Sequence, residues 1–319
     1  MTVYNNIEQL PAFKNAIITI GTFDGVHTGH QQIIQLMKQE AAKVKGETVI
    51  ITFHPHPRMV VASHKPDIQL LNTLEEKILL LQDQGLDNLV IVPFTGDFAN
   101  QTAEEYIADF LVKRFHPHTI VIGHDHHFGK GRTGHYELLE QKGVEFNYKV
   151  VEIPVHMLED VTISSTKIRE SLLNGDIEAA NKYLAYPYFF SGKVIEGNKL
   201  GRTIGYPTAN LEVENEHKLV PGNGVYAVEI KIAHSLKNPK PSALHRSLKG
   251  MMNIGVRPTV DGSKKTIEVN IFDFNEDIYG QTITVTLKKH LRSEQKFSGL
   301  DALKEQLAKD KLNAITALA

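Results

Sequence analysis

From residue 16 to about 153, short apolar runs alternate with longer runs whose apolar residues recur every three or four positions. The short runs at 17–20, 48–53, 88–94 and 119–123 read as buried strands, with a further strand near 146–153. The longer ones predict helices at 31–37, 73–81 and 103–115 and near 136–141. Thr73 with Glu76, and Thr102 with Glu105, have capping-box spacing. Near-continuous apolar strands alternating with helices predict a parallel sheet covered on both faces. Two more helices come next: one opens at Ser164 or Ser165, runs to Leu173 and ends at Asn174-Gly175, and a shorter one spans 176–184.

At about Tyr186-Pro187 the pattern changes. Runs at 188–194, 225–232, 248–254, 266–272 and 282–287 read as strands with turns and prolines between them. No helix is expected between them, which predicts an antiparallel, barrel-like sheet. Residues 234–246 hold two Pro, three basic residues and two His, and read as a mobile hairpin tip or loop. A terminal helix is expected over 300–318. The division is therefore one domain at 1–186 and a second at 187–319, as the 319-residue length also suggests.

Composition narrows the chemistry. A net charge of −2 gives no global field toward nucleic acid or membrane. With no cysteine there is no disulfide, thiolate nucleophile or Cys-based zinc site, which fits a reducing, cytoplasmic setting. The first residues show no basic stretch followed by an apolar core, so no secretion signal is expected, and no apolar run reaches membrane-spanning length.

The most specific stretch is Gly21-Thr22-Phe23-Asp24-Gly25-Val26-His27-Thr28-Gly29-His30. It leaves a buried strand and opens a helix, where glycine lets backbone approach a ligand and the first helical N–H groups favour anions. His27 and His30, three apart, share one helical face and can stabilise charge on phosphoryl oxygens. Ser164-Ser165-Thr166-Lys167-Ile168-Arg169 is either plain capping with a solvated basic face or a second helix start that binds a triphosphate. Beside the first stretch, the second reading is favoured.

In the second domain, Gly197, Gly201 and Gly205 recur at spacing four, with Lys199 among them, before Pro207-Thr208-Ala209-Asn210. The segment is not a P-loop, yet it can wrap phosphates with backbone N–H groups. Thr208 and Asn210 fall on one side of an extended segment and suit Mg²⁺ that keeps waters and phosphate oxygens; a barrel turn is the alternative. Glu268 lies on a strand, sharing a face with Asn270 and Phe272, and is a candidate general base. His290-Leu291-Arg292 comes after the last strand and could bring a guanidinium to a phosphate. His54, His56, His124, His126 and His127, with Asp125 nearby, also admit a metal-site reading, although proline-flanked loop histidines are more often polar loop residues or substrate contacts.

Together these motifs resemble the bacterial bifunctional riboflavin kinase/FAD synthetase family over nearly the full chain. Residues 21–30 and 163–169 look like its adenylyltransferase signatures. Residues 197–210, 253–259, Glu268-Val269 and 291–297 look like its flavokinase domain. The resemblance implies a Rossmann-like nucleotidyltransferase domain with a parallel sheet, then an antiparallel β-barrel flavokinase domain with a terminal helix. It implies that the second domain phosphorylates riboflavin to FMN and the first adenylylates FMN to FAD and pyrophosphate, with ATP and Mg²⁺. For adenylylation it assigns His27, His30 and Arg169 to catalysis, and Gly21, Phe23, Asp24, Gly25, Gly29, Ser164, Ser165 and Thr166 to ATP. His54, Pro55, Asp125, Phe128 and Arg132 would meet the flavin. For the kinase it assigns Glu268 as base, Thr208 and Asn210 to the metal, Gly197, Lys199, Gly201 and Gly205 to ATP, and Asn253, Arg257 and Arg292 to the flavin. The family usually has an acidic residue where His54 stands, and aromatic and basic residues where His126-His127 stand. Two other readings stay open: an adenylyltransferase whose second domain only binds flavin, and a non-catalytic flavin binder. Small molecules, not nucleic acid or membrane, are the expected partners.

Overall fold

Apolar runs that looked alike in sequence divide their side chains between two cores. In the sheet formed by β1 (Thr2–Tyr4), β2 (Ile17–Ile20), β3 (Thr48–His54), β4 (Asn88–Pro93), β5 (Thr119–Ile122) and β6 (Lys149–Glu152), alternate residues face opposite ways. Ile18, Ile20, Val49, Ile51, Val90 and Val92 join one buried cluster, while Ile17, Ile50, Leu89, Ile91 and Val121 join the other. All pairings are parallel, in the order β1-β4-β3-β2-β5-β6. β1 was not expected; three residues are too few to carry a period. From β2 the chain goes first to β3 and β4 on one side, then to β5 and β6 on the other. Such a reversal leaves a crevice at the carboxyl ends of the strands, and residues 21–30 leave β2 there.

The computed structural model describes residues 1–61, 68–123, 126–153, 163–197, 200–232, 247–259 and 262–319, with the side chains of 257–264 left aside. Residues His124, Asp125, Lys199 and the whole 234–246 segment fall outside the described residues, as does the side chain of Arg257. Among those described, no helix is long and apolar enough to cross a membrane.

Helix α1 (Thr28–Val44) and α2 (Leu74–Asp83) cover one face of the sheet, and the helix over 103–115, here α3, covers the other. Both capping boxes form: Thr73 and Glu76 exchange bonds of 3.0 and 3.3 Å, Thr102 and Glu105 bonds of 2.8 and 3.2 Å. The centre of α3, Tyr106–Val112, is wound as a π segment, which its apolar period does not announce. Helix α4 (Tyr136–Phe146) runs five residues beyond the predicted 141 and shortens the strand expected to start at 146. Gly143 makes this possible, because a Cβ there would stand 2.7 Å from the Tyr148 carbonyl oxygen.

The chain forms two compact units, Met1–Ser164 and Ser165–Ala319. The second begins with α5 (Ser165–Leu173) and α6 (Ile177–Leu184), which the sequence pattern groups with the first domain. Both helices are tied to the rest of the second unit: Gly222 N–H donates to the Leu172 carbonyl at 3.0 Å, and Asn181 Nδ2 to the Leu287 carbonyl at 3.0 Å.

Strands β7 (Phe189–Ile195), β8 (Ala209–Glu212), β9 (Gly224–Ile232), β10 (Leu248–Thr259), β11 (Gly262–Ile271) and β12 (Thr282–Arg292) close an antiparallel barrel in the order β10-β11-β8-β7-β12-β9. The expected barrel is thus present, with two differences. A short helix, Leu200–Thr203, interrupts the strands, and His290-Leu291-Arg292 belong to β12 rather than coming after it. Fully buried Tyr226, Val228, Ile230, Met252, Ile254, Val269, Ile283, Val285 and Leu287 alternate onto the inner face. On the outer face, Ala227, Met251 and Phe272 pack on Ala314 and Leu318 of α7 (Leu300–Ala317).

Candidate functional site

The loop from β2 to α1 is held by backbone geometry that ordinary residues avoid. Phe23, Gly25 and Val26 have φ of 47°, 88° and 38°, all left-handed. Phe23 and Val26 are buried and anchor this turn, and Gly21 N–H bonds the Ile51 carbonyl at 3.0 Å. Asp24 is buried too, its Oδ1 accepting from Leu71 N–H at 2.9 Å. The aspartate therefore shapes the loop from below. His27 is the N-cap residue of α1, its side chain does not cap the helix, and the first turn carries no acid. That helix start offers an anion the dipole without a competing carboxylate. Gly29 is buried in the same turn.

The rings of His27 and His30 stack at 3.8 Å, and Phe23 packs on His30 at 4.8 Å. Burial, then the charges of His27 and Lys77, hold the His30 imidazole well below its ordinary range. His30 is therefore neutral at pH 7 and can offer an N–H donor rather than a positive charge. Its Nδ1 has no hydrogen-bond partner among the described residues.

Lys77 was not expected here. It sits on α2 directly after Glu75 and Glu76, yet it is 7% exposed. Its Nζ donates to the Thr22 carbonyl at 2.7 Å and lies 3.5 Å from Thr52 Oγ1. Burial lowers its pKa to about 8 against the attraction of Asp24. A cation thus lies beneath the glycine-rich loop. Its burial cost is fully present below pH 8, shrinks between there and its unfolded value, and is absent above that value. By this reckoning it is on the order of 3 kcal/mol at neutral pH. Thr52 Oγ1 also donates to the Thr22 carbonyl, at 3.2 Å, so that oxygen keeps a partner without the lysine. Lys77→Met should therefore raise the thermal stability of the first unit at pH 7, with the gain vanishing near pH 10.5. Equal melting shifts at both pH values would contradict this.

At the ends of β3 and β4 the aromatics join. Phe53 contacts Phe94 and Phe98, Phe98 contacts Tyr106, and Tyr106 stacks on Phe128 at 5.0 Å. Phe128 is buried in this cluster, and Gly134 covers its ring so closely that a Cβ would come within 2.3 Å. His54, before a cis bond to Pro55, and Arg132, at φ 60°, are exposed. Among the described residues no three metal-ligating side chains gather as a metal site. Ile168 and Leu172 bury one face of α5, at whose start Thr166 is exposed and Ser165 and Arg169 are half-buried; Ser164, the last residue of the first unit, is exposed.

The second unit brings together most of its predicted residues. A cavity of about 220 Å³ on the outer wall of the barrel is lined by Gly201, Thr208, Asn210, Asn253, Glu268 and Arg292. Leu303 and Leu307 of α7 and Phe297 complete it. Strand register explains the gathering. Asn210 pairs with Glu268, Glu268 with Asn253, Asn253 with Val225 and Val225 with Arg292, a single row across five strands. Residues in one row share a face, and Ile267 and Val269 flanking Glu268 take the inner one. Asn270, buried, donates from Nδ2 to the Pro207 carbonyl at 2.7 Å and fixes the segment carrying Thr208 and Asn210. Gly197 crosses Asn210 so closely that a Cβ would sit 2.1 Å from its Nδ2. Gly205 takes φ 85° after the short helix. Two neutral oxygen donors beside a carboxylate suit a hard cation that keeps most of its waters. Such a site, with an acid-base group between polar and apolar ends, suits transfer of a phosphoryl group to an alcohol.

Comparison with known proteins agrees with both units. A FAD synthetase family model matches residues 10–167 and a riboflavin kinase family model residues 184–318. The Escherichia coli K12 bifunctional riboflavin kinase/FMN adenylyltransferase is 37% identical over 310 residues, 97% of this chain and 95% of that one. The Bacillus subtilis protein of the same name is 38% identical, covering 94% and 92%. A solved structure described as a macrolide-efflux protein from Streptococcus pneumoniae superposes with a TM-score of 0.85 at 32% identity, covering 97% of each chain.

Proposed function

The chain belongs to the bifunctional riboflavin kinase/FMN adenylyltransferase family, and on that premise we propose which of its residues carry each reaction. It phosphorylates riboflavin with ATP to FMN and adenylylates FMN with a second ATP to FAD. The observation that carries the kinase assignment is the row Asn210–Glu268–Asn253 opening into one cavity. Glu268 accepts the proton of the ribityl 5′-hydroxyl as that oxygen attacks the γ-phosphorus of ATP and ADP leaves. Thr208 and Asn210 would hold Mg²⁺, which supplies charge neutralisation at the phosphates when bound. Gly197, Lys199, Gly201 and Gly205 cover the nucleotide, and Asn253, Arg257 and Arg292 hold the flavin.

In adenylylation a phosphate oxygen of FMN attacks the α-phosphorus of ATP and pyrophosphate leaves. His27 and His30 meet the charge developing there, with the α1 start and the Lys77 cation behind them. Gly21, Phe23, Asp24, Gly25 and Gly29 form the cradle. Buried Asp24 and Phe23 act by shaping it. Ser164, Ser165, Thr166 and Arg169 bind the triphosphate; for the first three the reading is supported by the FAD synthetase match running to residue 167. His54, Pro55, Asp125 and Arg132 meet the flavin, and Phe128 supports them from within the aromatic cluster. We divide the chain into an adenylyltransferase domain at 1–186 and a kinase domain at 187–319; the family models, matching 10–167 and 184–318, support a change of domain between those matches without fixing the boundary. We place the enzyme in the cytoplasm on its cysteine-free composition.

Pure protein given riboflavin, ATP and Mg²⁺ should yield FMN and then FAD by chromatography, and chelation of the metal should stop both. FAD from supplied FMN but none from riboflavin would mean that the barrel unit only binds flavin.

A further inference from the structure

We propose that Asp310 is the positioning residue that aims Arg292 at the riboflavin end of the kinase cavity. This rests on the kinase reading above. Asp310 lies on α7 and is 1% exposed, although Ala308 and Lys309 just before it are exposed. A carboxylate that deep needs a partner, and it has an unusually complete one. Arg292 Nε donates to Oδ1 at 3.0 Å and to Oδ2 at 3.1 Å, and Nη2 donates to Oδ2 at 2.8 Å. Gln306 Nε2 donates to Oδ1 at 2.8 Å, fixing the carboxylate from a second side. Arg292 Nη1 donates to the Ser293 carbonyl at 3.0 Å.

A guanidinium has five N–H donors in a rigid plane. Three are used within the protein, which leaves one on Nη1 and one on Nη2. With Nε and both Nη groups held, the plane of the fork is set, and so are those two directions. Arg292 lines the cavity, so an acceptor that enters meets donors already placed.

Position along the row identifies which substrate this is. Along the row through Glu268, Asn253 and Val225, Asn210 and Arg292 are the two end members. Its own end combines apolar and polar groups: the Phe297 ring lies 5.7 Å from the guanidinium carbon, and Leu303 and Leu307 line the same cavity together with Glu294 and Gln295. Thr208, Asn210 and the glycine-rich segment stand at the other end, where the nucleotide phosphates belong. An apolar wall with two oriented donors suits a heteroaromatic ring carrying carbonyl oxygens, which is the flavin. The same contacts fasten α7 over the cavity, so the helix that roofs the site also sets its donor.

The test compares steady-state kinetics of the intact enzyme and its variants, with riboflavin and ATP varied separately. D310N keeps the shape and removes the charge. Its KM for riboflavin should rise about tenfold, the scale of one charge-assisted hydrogen bond loosened, with KM for ATP within about twofold. R292M should do the same, and the double variant should be no worse than R292M alone, because Asp310 acts through Arg292. Q306M removes one hydrogen bond from Asp310 while leaving its ion pair with Arg292 in place, and keeps the proposal testable if D310N does not fold; a rise of about threefold is expected. An unchanged riboflavin KM in D310N or Q306M would overturn the proposal. So would losses that multiply in the double variant, or an equal loss in both KM values and kcat, which would mark a structural role only. Wild-type protein that forms no FMN would instead refute the kinase reading itself.

Discussion

Replacing Glu268 with Gln should lower FMN formation by about 10²- to 10⁴-fold, the range that general acid–base groups contribute. The substitution preserves side-chain shape, and the flanking Ile267 and Val269 remain buried within the barrel. Asn210 and Asn253, paired on either side, keep their places as well. What is lost is the capacity to accept the proton of an attacking hydroxyl. The drop should therefore appear in kcat, with the KM values for riboflavin and ATP within a few fold. FAD formation from supplied FMN is the internal control, because Glu268 is assigned no part in that reaction. Retention of more than a tenth of wild-type FMN formation by E268Q would remove Glu268 as the base.

The second large effect falls on the opposite reaction. His30→Gln should reduce FAD formation from FMN by about 10²- to 10³-fold while FMN formation from riboflavin stays near wild type. The buried ring lies against both His27 and Phe23, so Ala would open a cavity and confuse stability with chemistry. Gln fills more of the space and keeps an N–H donor, though not at the same point. Since burial keeps His30 neutral, the rate should show no loss between pH 6.5 and 7.5 from a titrating imidazolium. Folding stability behaves with the sign of a depressed histidine. It is fully present above the unfolded value and declines as pH falls below it. Parallel loss of both activities in H30Q would show that the two units do not work independently.

The strands and most helices were legible because their apolar periods are strong and each face has its own core. The π segment in α3 and the three-residue β1 were not, since the first keeps a helical apolar stripe and the second is too short for a period. Glu268, Thr208 and Asn210 were legible as candidates from alternation, and their meeting with Asn253 and Arg292 came from register, which no single run contains. Lys77 and Asp310 were hidden for one reason. Each sits in a helical stretch of charged residues, where burial depends on a distant segment: the Thr22 carbonyl for Lys77, the end of β12 for Asp310. Arg292 itself was placed beyond the last strand, because Lys288, Lys289 and His290 break the apolar alternation while the backbone pairing continues through a shifted register.

The row that joins five strands also decides what a preparation of this enzyme can report. Side chains alternate with a period of two, so a slip of β11 by one residue would bury Glu268 in the barrel and present Ile267 or Val269 to the substrates. No intermediate register yields a weaker or differently selective kinase. A misregistered barrel is silent, and kinase turnover per mole of chain counts the molecules whose strands paired correctly.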